Sequence, residues 1–263
     1  NPVLDLGLAD FRDPFVFRHA ASQSWIMVVA RSAERVAEVY RSPNLQDWEL
    51  ASTISGADAP GRVWECPTLV ELPVIGTTRS RWLFKVDALH DAPGSGAVYI
   101  VGSFNGHAFT PEGDWHVLDH GRDFYAAIAW NGPRDGHGRP AWIGWMGNHT
   151  YQARLPKKGW RGVMSLPRRM GLRECNNELL LAQTVEPSVC NLFTDPEEVT
   201  ADEMTVPVSC RIDLAADFHG QLRLDDGGNS CFTVIADDQC WQLLRDDTAL
   251  PFLNARSGLQ RSD

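Results

Sequence analysis

Phe11-Arg12-Asp13-Pro14-Phe15-Val16-Phe17, followed after the polar turn Arg18 to Ser24 by Trp25-Ile26-Met27-Val28-Val29-Ala30, is the stretch that decides the fold. Two short runs of aromatic and β-branched residues flank a polar turn, a pattern of paired strands rather than of helix. The same texture recurs at Thr68 to Leu72, Trp82 to Val86, Ala97 to Val101, Phe124 to Trp130 and Ala141 to Trp145. Turn-rich pieces divide these runs: Ala59-Pro60-Gly61, Asp91 to Gly96, Thr110 to Asp114 and Asn131 to Gly136. Their Gly and Pro residues interrupt any continuing helix. Only Ala33 to Tyr40 has a helical look, enough for a turn or two. The chain therefore reads as all-β. Strands at this spacing fit a sandwich, a barrel or a propeller, and the turns between aromatic strands favour radial blades.

The texture changes between residues 172 and 180. Beyond it lie polar strand-like pieces with acidic loops: Thr205 to Val208, Arg211-Ile212-Asp213-Leu214, Gln221-Leu222-Arg223-Leu224 and Cys231 to Ile235. Alternation in the second and third pieces fits strands with one wet face. The expected organisation is a first domain over residues 1–174 and part of a β-sandwich over 175–263. The chain opens on Asn1 rather than Met and ends without a closing strand pattern, so further sequence is expected on both sides.

A chain of 263 residues with 43% hydrophobic residues can bury a large core. The formal charge of −10, with no long basic cluster, repels phosphate backbones and argues against a nucleic-acid partner. No run approaches 18 apolar residues, so no membrane-spanning helix is expected. A neutral carbohydrate meets no such electrostatic barrier, and ten Trp offer flat faces to sugar rings, although most Trp belong in cores. Cys66, Cys175, Cys190, Cys210, Cys231 and Cys240 form no CxxC pair and no zinc spacing, so no metal or cofactor is expected. Their even number permits disulfides and leaves the compartment open. Asn148-His149-Thr150 reads as a glycosylation acceptor, which would suit secretion.

Several residue types suit chemistry on a sugar. Pro14 is expected to hold Asp13 extended at the start of a strand, with Arg12 keeping its carboxylate ionised. Glu65 stands between Trp64 and Cys66-Pro67, where burial against Trp64 would favour a general acid. Asp119, Asp123 and Tyr125 could bind hydroxyls, since carboxylates accept from pairs of sugar OH groups. Each motif alone favours a plain turn, strand start or loop cap. His120 has no Ser or Cys nucleophile beside it, so a hydrolytic triad is not supported. Trp130, Trp142, Trp145 and Trp160 could form a sugar platform, and Phe104-Asn105-Gly106 is either a substrate-facing or a structural turn.

Taken in order, seven segments resemble glycoside hydrolase family 32, the invertases, levanases and inulinases. They are Asn1 to Leu4, Asp10 to Pro14, Trp64-Glu65-Cys66-Pro67, Phe104-Asn105-Gly106, Asp119 to Ala126, Ile143 to Met146 and Trp160 to Arg168. The resemblance covers residues 1 to about 172. It implies a five-bladed β-propeller with an axial funnel, joined to a β-sandwich. It also implies Asp13 as transition-state stabiliser, Glu65 as acid/base, and Arg12, Asp119, Asn105 and Trp64 as substrate-binding residues. The family's nucleophile lies in a Trp-Met-Asn-Asp-Pro-like motif that this sequence does not carry. The expectation is thus a propeller lacking its first blade, completed by a second chain or segment. It would act on sucrose or fructan by a retaining mechanism, or bind fructan without turnover. Asp13 and Glu65 are expected to converge on one fructose-sized cavity.

Overall fold

The computed structural model describes residues 2–56, 58, 60–89, 94–157, 159, 161–192, 212, 214, 218–225, 230–237, 240–247 and 255–260. Trp160, Thr205 to Val208, Arg211 and Asp213 lie outside them. The chain divides into two compact units, Asn1–Thr184 and Val185–Asp263.

The first unit is built from three antiparallel sheets whose strands follow one another in sequence order. The first sheet contains β1 (Phe11–His19), β2 (Ser24–Arg31), β3 (Val36–Ser42) and β4 (Glu49–Ser55). The second contains β5 (Glu65–Pro73), β6 (Ser80–Asp87), β7 (Ala97–Phe104) and β8 (Phe109–Pro111), with the two-residue β9 (His116–Val117) on β7. The third contains β10 (Tyr125–Ala129), β11 (Ala141–Trp145), β12 (Arg168–Cys175) and β13 (Glu178–Val185). A propeller short of one blade implies four such sheets; the described residues of this unit form three. The sequence reading placed the division near residue 174, but β13 pairs with β12, so the first unit continues to Thr184.

The helical look of Ala33 to Tyr40 is overturned. Arg35 adopts a φ of +56° and turns the chain back on itself, and β3 pairs with β2 from Val36 to Ser42. Val36 and Val39 are β-branched, and Ala37, Val39 and Tyr40 are buried, so sheet packing overrides the helix-forming Ala33-Glu34-Arg35.

One hydrophobic core joins the three sheets. Phe15, Phe17, Ile26 and Val28 enter it from the first, Leu69, Leu83 and Phe84 from the second, and Phe124, Trp142 and Met170 from the third. The other face of the first sheet is apolar too: Met27, Val29 and Tyr40 pack with Leu4, Phe11, Val16 and Trp48. β5 packs against both β1 and β10, so the leading strand of the second sheet lies between those of its neighbours.

These three leading strands share one irregularity. Arg12 faces Ala30 and Phe15 faces Val28, so three steps along β1 match two along β2. The same shift occurs between Glu65 and Thr68 on β5, and between Tyr125 and Ile128 on β10. At each bulge the residue after the last regular pair has a positive φ: Asp13 at +60°, Cys66 at +46° and Ala126 at +53°. A bulge re-aims side chains locally without ending the strand.

The second unit shows one antiparallel sheet, ordered β14 (Gly220–Asp225), β15 (Ser230–Ala236), β16 (Cys240–Asp247) and β17 (Ala255–Gln260).

Candidate active site

The bulge on β1 gives Asp13 a conformation that the sequence did not suggest. Pro14 was expected to keep it extended, yet its φ is +60°. A short polar side chain tolerates the left-handed region better than most, and its carboxylate gains a partner there. The Cys66 backbone N–H donates to Asp13 Oδ2 at 2.9 Å. Bulge thus meets bulge, and Asp13 is tied to the residue next to Glu65.

Glu65 opens β5 and is held from two sides. Arg12 Nη1 donates to Oε1 at 3.2 Å, and the Tyr125 hydroxyl donates to Oε2 at 2.8 Å. Arg12 also bonds Asp10 and makes no ion pair with Asp13, so the expected Arg12–Asp13 pairing is replaced by Asp10–Arg12–Glu65. Burial, followed by the nearby Asp87 and Glu65 carboxylates, drives the Tyr125 phenol far above its ordinary range. Tyr125 therefore remains a donor at any working pH. Asp13, Glu65, Arg12 and Tyr125 are the groups that the structure brings together.

Behind them lies a charge pair. Lys85 and Asp87 are fully buried, and Lys85 Nζ stands 2.5 Å from Asp87 Oδ2 and 3.4 Å from the Cys66 carbonyl oxygen. Asp87 faces Glu65 across the β5–β6 ladder. The Ala126 N–H and the Cys66 thiol lie close enough to favour its charged form, although Oδ1 has no partner in hydrogen-bond geometry. Burial outweighs the ammonium and pushes Asp87 up to about 6. Burial likewise pushes the Cys66 thiol up to about 12, against the pull of Lys85. Cys66 is a packed, inert thiol.

Three expected substrate-binding residues are committed to structural contacts instead. Trp64 is fully buried, its ring 5.8 Å from Phe84 and 5.6 Å from Trp115, so it presents no face to a sugar. Asn105 follows Phe104, which ends β7, whereas Ala97 at the other end pairs with Asp87 beside the site. At about 3.3 Å per residue that strand puts Asn105 on the order of 20 Å from the carboxylates. Its Oδ1 accepts from His107 N–H and Ala108 N–H, both at 2.8 Å, and so closes a turn. Asp119 accepts from Arg168 Nη1 at 2.6 Å and from Gly121 N–H at 2.7 Å, and Arg168 also lies over the Phe124 ring. One oxygen thus serves the loop and the other ties it to β12. Asp123, read alongside it as a hydroxyl binder, accepts from the Tyr151 hydroxyl.

Among the tryptophans proposed as a platform, Trp142 is buried in the core and Trp130 is largely exposed on β10's far flank. Among the described ones, Trp145 joins the site's surroundings. It forms a corner with Tyr125 and His149, with ring centroids 6.4 Å and 5.2 Å from its own. Tyr125 was expected only to bind hydroxyls; its bond to Glu65 was missed because nothing local in the sequence pairs it with a residue sixty positions away, and His149, whose ring meets Tyr125, was not singled out. Asn148 is buried, and its side-chain nitrogen donates to the Arg122 carbonyl at 3.0 Å, so it does not offer a glycan acceptor. An open groove of about 380 Å³ is lined by Pro14, Phe15, Val16, Ile128, Ala129, Trp130, Asn131 and Ile143. It touches neither carboxylate, so the expected shared cavity is not this groove.

Two carboxylates thus stand on adjoining bulges, one held by Arg12 and Tyr125 and the other by the Cys66 N–H. The family model "Glycosyl hydrolases family 32 N-terminal domain" matches residues 1–183, and the chain belongs to this family. It is 39% identical over 229 residues to the extracellular exo-inulinase of Aspergillus niger, covering 78% of this chain and 42% of that protein. It is 39% identical over 193 residues to the levanase of Bacillus subtilis, covering 70% and 28%. Among solved structures, the exo-inulinase of Aspergillus awamori superposes with a TM-score of 0.70 at 28% identity, over 91% of this chain and 50% of that one. The fold of the fructofuranosidase of Schwanniomyces occidentalis, 22% identical, superposes with a TM-score of 0.77 over 100% and 58%. The chain thus spans less than half the length of the curated relatives named here.

Proposed function

We propose that this chain carries the acid/base and transition-state-binding half of a retaining β-fructofuranosidase acting on sucrose, levan or inulin. The observation that carries the reading is the Cys66 N–H to Asp13 Oδ2 bond, which holds the two carboxylate-bearing bulges together. Relatives named exo-inulinase and levanase support the same substrate class.

In this mechanism Glu65 protonates the glycosidic oxygen as the bond to the fructosyl carbon breaks. It then takes a proton from the water that releases the sugar. Arg12 and Tyr125 hold that carboxyl group at a fixed angle. Asp13 has one oxygen committed to Cys66 N–H, leaving the other to accept fructosyl hydroxyls. Those hydroxyls become more acidic as oxocarbenium character develops, so the bonds tighten in the transition state. Trp145 and His149 form an aromatic edge for the sugar. A covalent fructosyl intermediate requires a nucleophilic carboxylate. The resemblance places that group in a motif absent from these 263 residues, and a further segment or second chain would supply it.

That absent motif favours a second reading, a fructan-binding propeller without turnover. Release of reducing sugar from sucrose, inulin and levan, measured against Glu65→Ala, distinguishes the two. Hydrolysis by the native chain that Glu65→Ala abolishes supports the enzyme. Fructan affinity with equal, background turnover in both supports the binder. Neither affinity nor turnover would end both readings.

A further inference from the structure

We propose that the buried Lys85–Asp87 pair is a positioning device that locks the bulges bearing Glu65 and Tyr125 into their site geometry. Four observations converge on it. Asp87 sits directly across the ladder from Glu65. Lys85 Nζ stands 3.4 Å from the carbonyl oxygen of Cys66, the positive-φ residue of the same bulge. The Ala126 N–H, from the corresponding residue of the β10 bulge, lies toward Asp87. Cys66 N–H in turn carries the link to Asp13. One ion pair therefore bonds the second bulge directly, has its charged carboxylate favoured by the third, and reaches the first through a single residue.

The pair is not explained by stability. On β2 the corresponding positions, Val28 and Ala30, are apolar and equally buried, so the architecture accepts hydrophobic residues in this layer. Two charges removed from water gain little over well-packed apolar side chains, and Asp87 Oδ1 is left without a hydrogen-bond partner. What the charges add is direction. An ammonium can hold a carbonyl and a carboxylate together, and the carboxylate can draw in the N–H of the neighbouring sheet; Val and Ala can do neither. Tyr125 immediately precedes Ala126, so fixing the Ala126 backbone fixes the phenol that holds Glu65 Oε2.

The inference rests on the glycosidase reading only for its ligand, and the experiment separates the two. The whole chain is prepared as wild type and as Lys85→Met/Asp87→Asn, which removes both charges together while keeping an amide oxygen at position 87. Crystal structures, melting temperatures and fructose titration calorimetry are compared. The expected result is a melting temperature within a few degrees of wild type, a Tyr125–Glu65 contact opened from 2.8 Å to beyond hydrogen-bond range, and fructose affinity at least tenfold weaker. Retention of that contact, with the Cys66–Asp13 bond intact, would overturn the proposal whatever the melting temperature. A wild type that binds no fructose would count against the glycosidase reading, while the contact distance still decides the role of the pair. Should the double variant not fold, Asp87→Asn alone provides the same crystallographic comparison, with the same contact expected to open.

Discussion

Replacing Asp13 separates its backbone duty from its chemical one. In the Ala variant the Cys66 N–H loses its acceptor at 2.9 Å, a bond to a charged group worth about 1.5–3 kcal/mol. Ala must also adopt the φ of +60°, which is about 1 kcal/mol less comfortable than for a short polar side chain. The Ala variant should therefore be about 2–4 kcal/mol less stable. Gly loses the same bond but takes the positive φ freely, so it should recover roughly 1 kcal/mol relative to Ala. Asn keeps both an acceptor and left-handed tolerance and should stay within about 1 kcal/mol of wild type. Yet Asn offers no negative charge to the developing oxocarbenium ion, so any fructosidase turnover should fall about a hundredfold or more. Urea unfolding followed by Trp fluorescence reads the first unit, because every Trp except Trp241 precedes residue 185. An order of stability other than wild type ≥ Asn > Gly > Ala would refute the bulge argument, and an Ala variant as stable as wild type would do so outright.

Other consequences are simpler to check. Trp64→Ala removes a fully buried ring from the core and should cost about 3–5 kcal/mol in denaturant melts; fructan affinity of the folded fraction should not change, since the ring meets no ligand. Arg168→Met breaks a partly exposed ion pair to Asp119 and should lower stability by about 1 kcal/mol while leaving turnover intact; a large loss of turnover would restore Asp119 to the substrate. Cys66, with its thiol pushed up to about 12 by burial, should resist iodoacetamide at pH 8 until the chain unfolds, as mapped by peptide mass spectrometry.

Much of this was legible in the sequence, for identifiable reasons. Trp25 to Ala30 and Ala141 to Trp145 declare themselves as strands because β-branched and aromatic side chains are dense and turn residues bound them. Asp13 and Glu65 were found because each stands directly before Pro14 or Cys66-Pro67 at a strand start. What escaped notice lies in contacts between distant residues. Lys85 and Asp87 stand in and beside a run read only as an apolar strand; in the fold both faces of β6 are covered near its end, and the two charges are sealed in. Trp64, which the resemblance implied as a substrate-binding residue, instead packs its ring against Phe84 and Trp115 in the core. Asn105 carries the right chemistry at the wrong end of its strand, which only register reveals, and Asp119 spends its oxygens on Arg168 and Gly121.

The repeated kink at Asp13, Cys66 and Ala126 has a consequence for how such a centre diversifies. Because one backbone detail recurs in three successive sheets, each copy works as an interchangeable socket: it accepts a carboxylate in one, a packing thiol in the next and only a methyl group in the last. Dissimilar reagents can be installed on a duplicated scaffold by single substitutions, with no new loop to invent. Position 126 is the socket left nearly blank, and a designer seeking an additional polar group beside Tyr125 would begin there with Asn, whose side chain suits the twist already present.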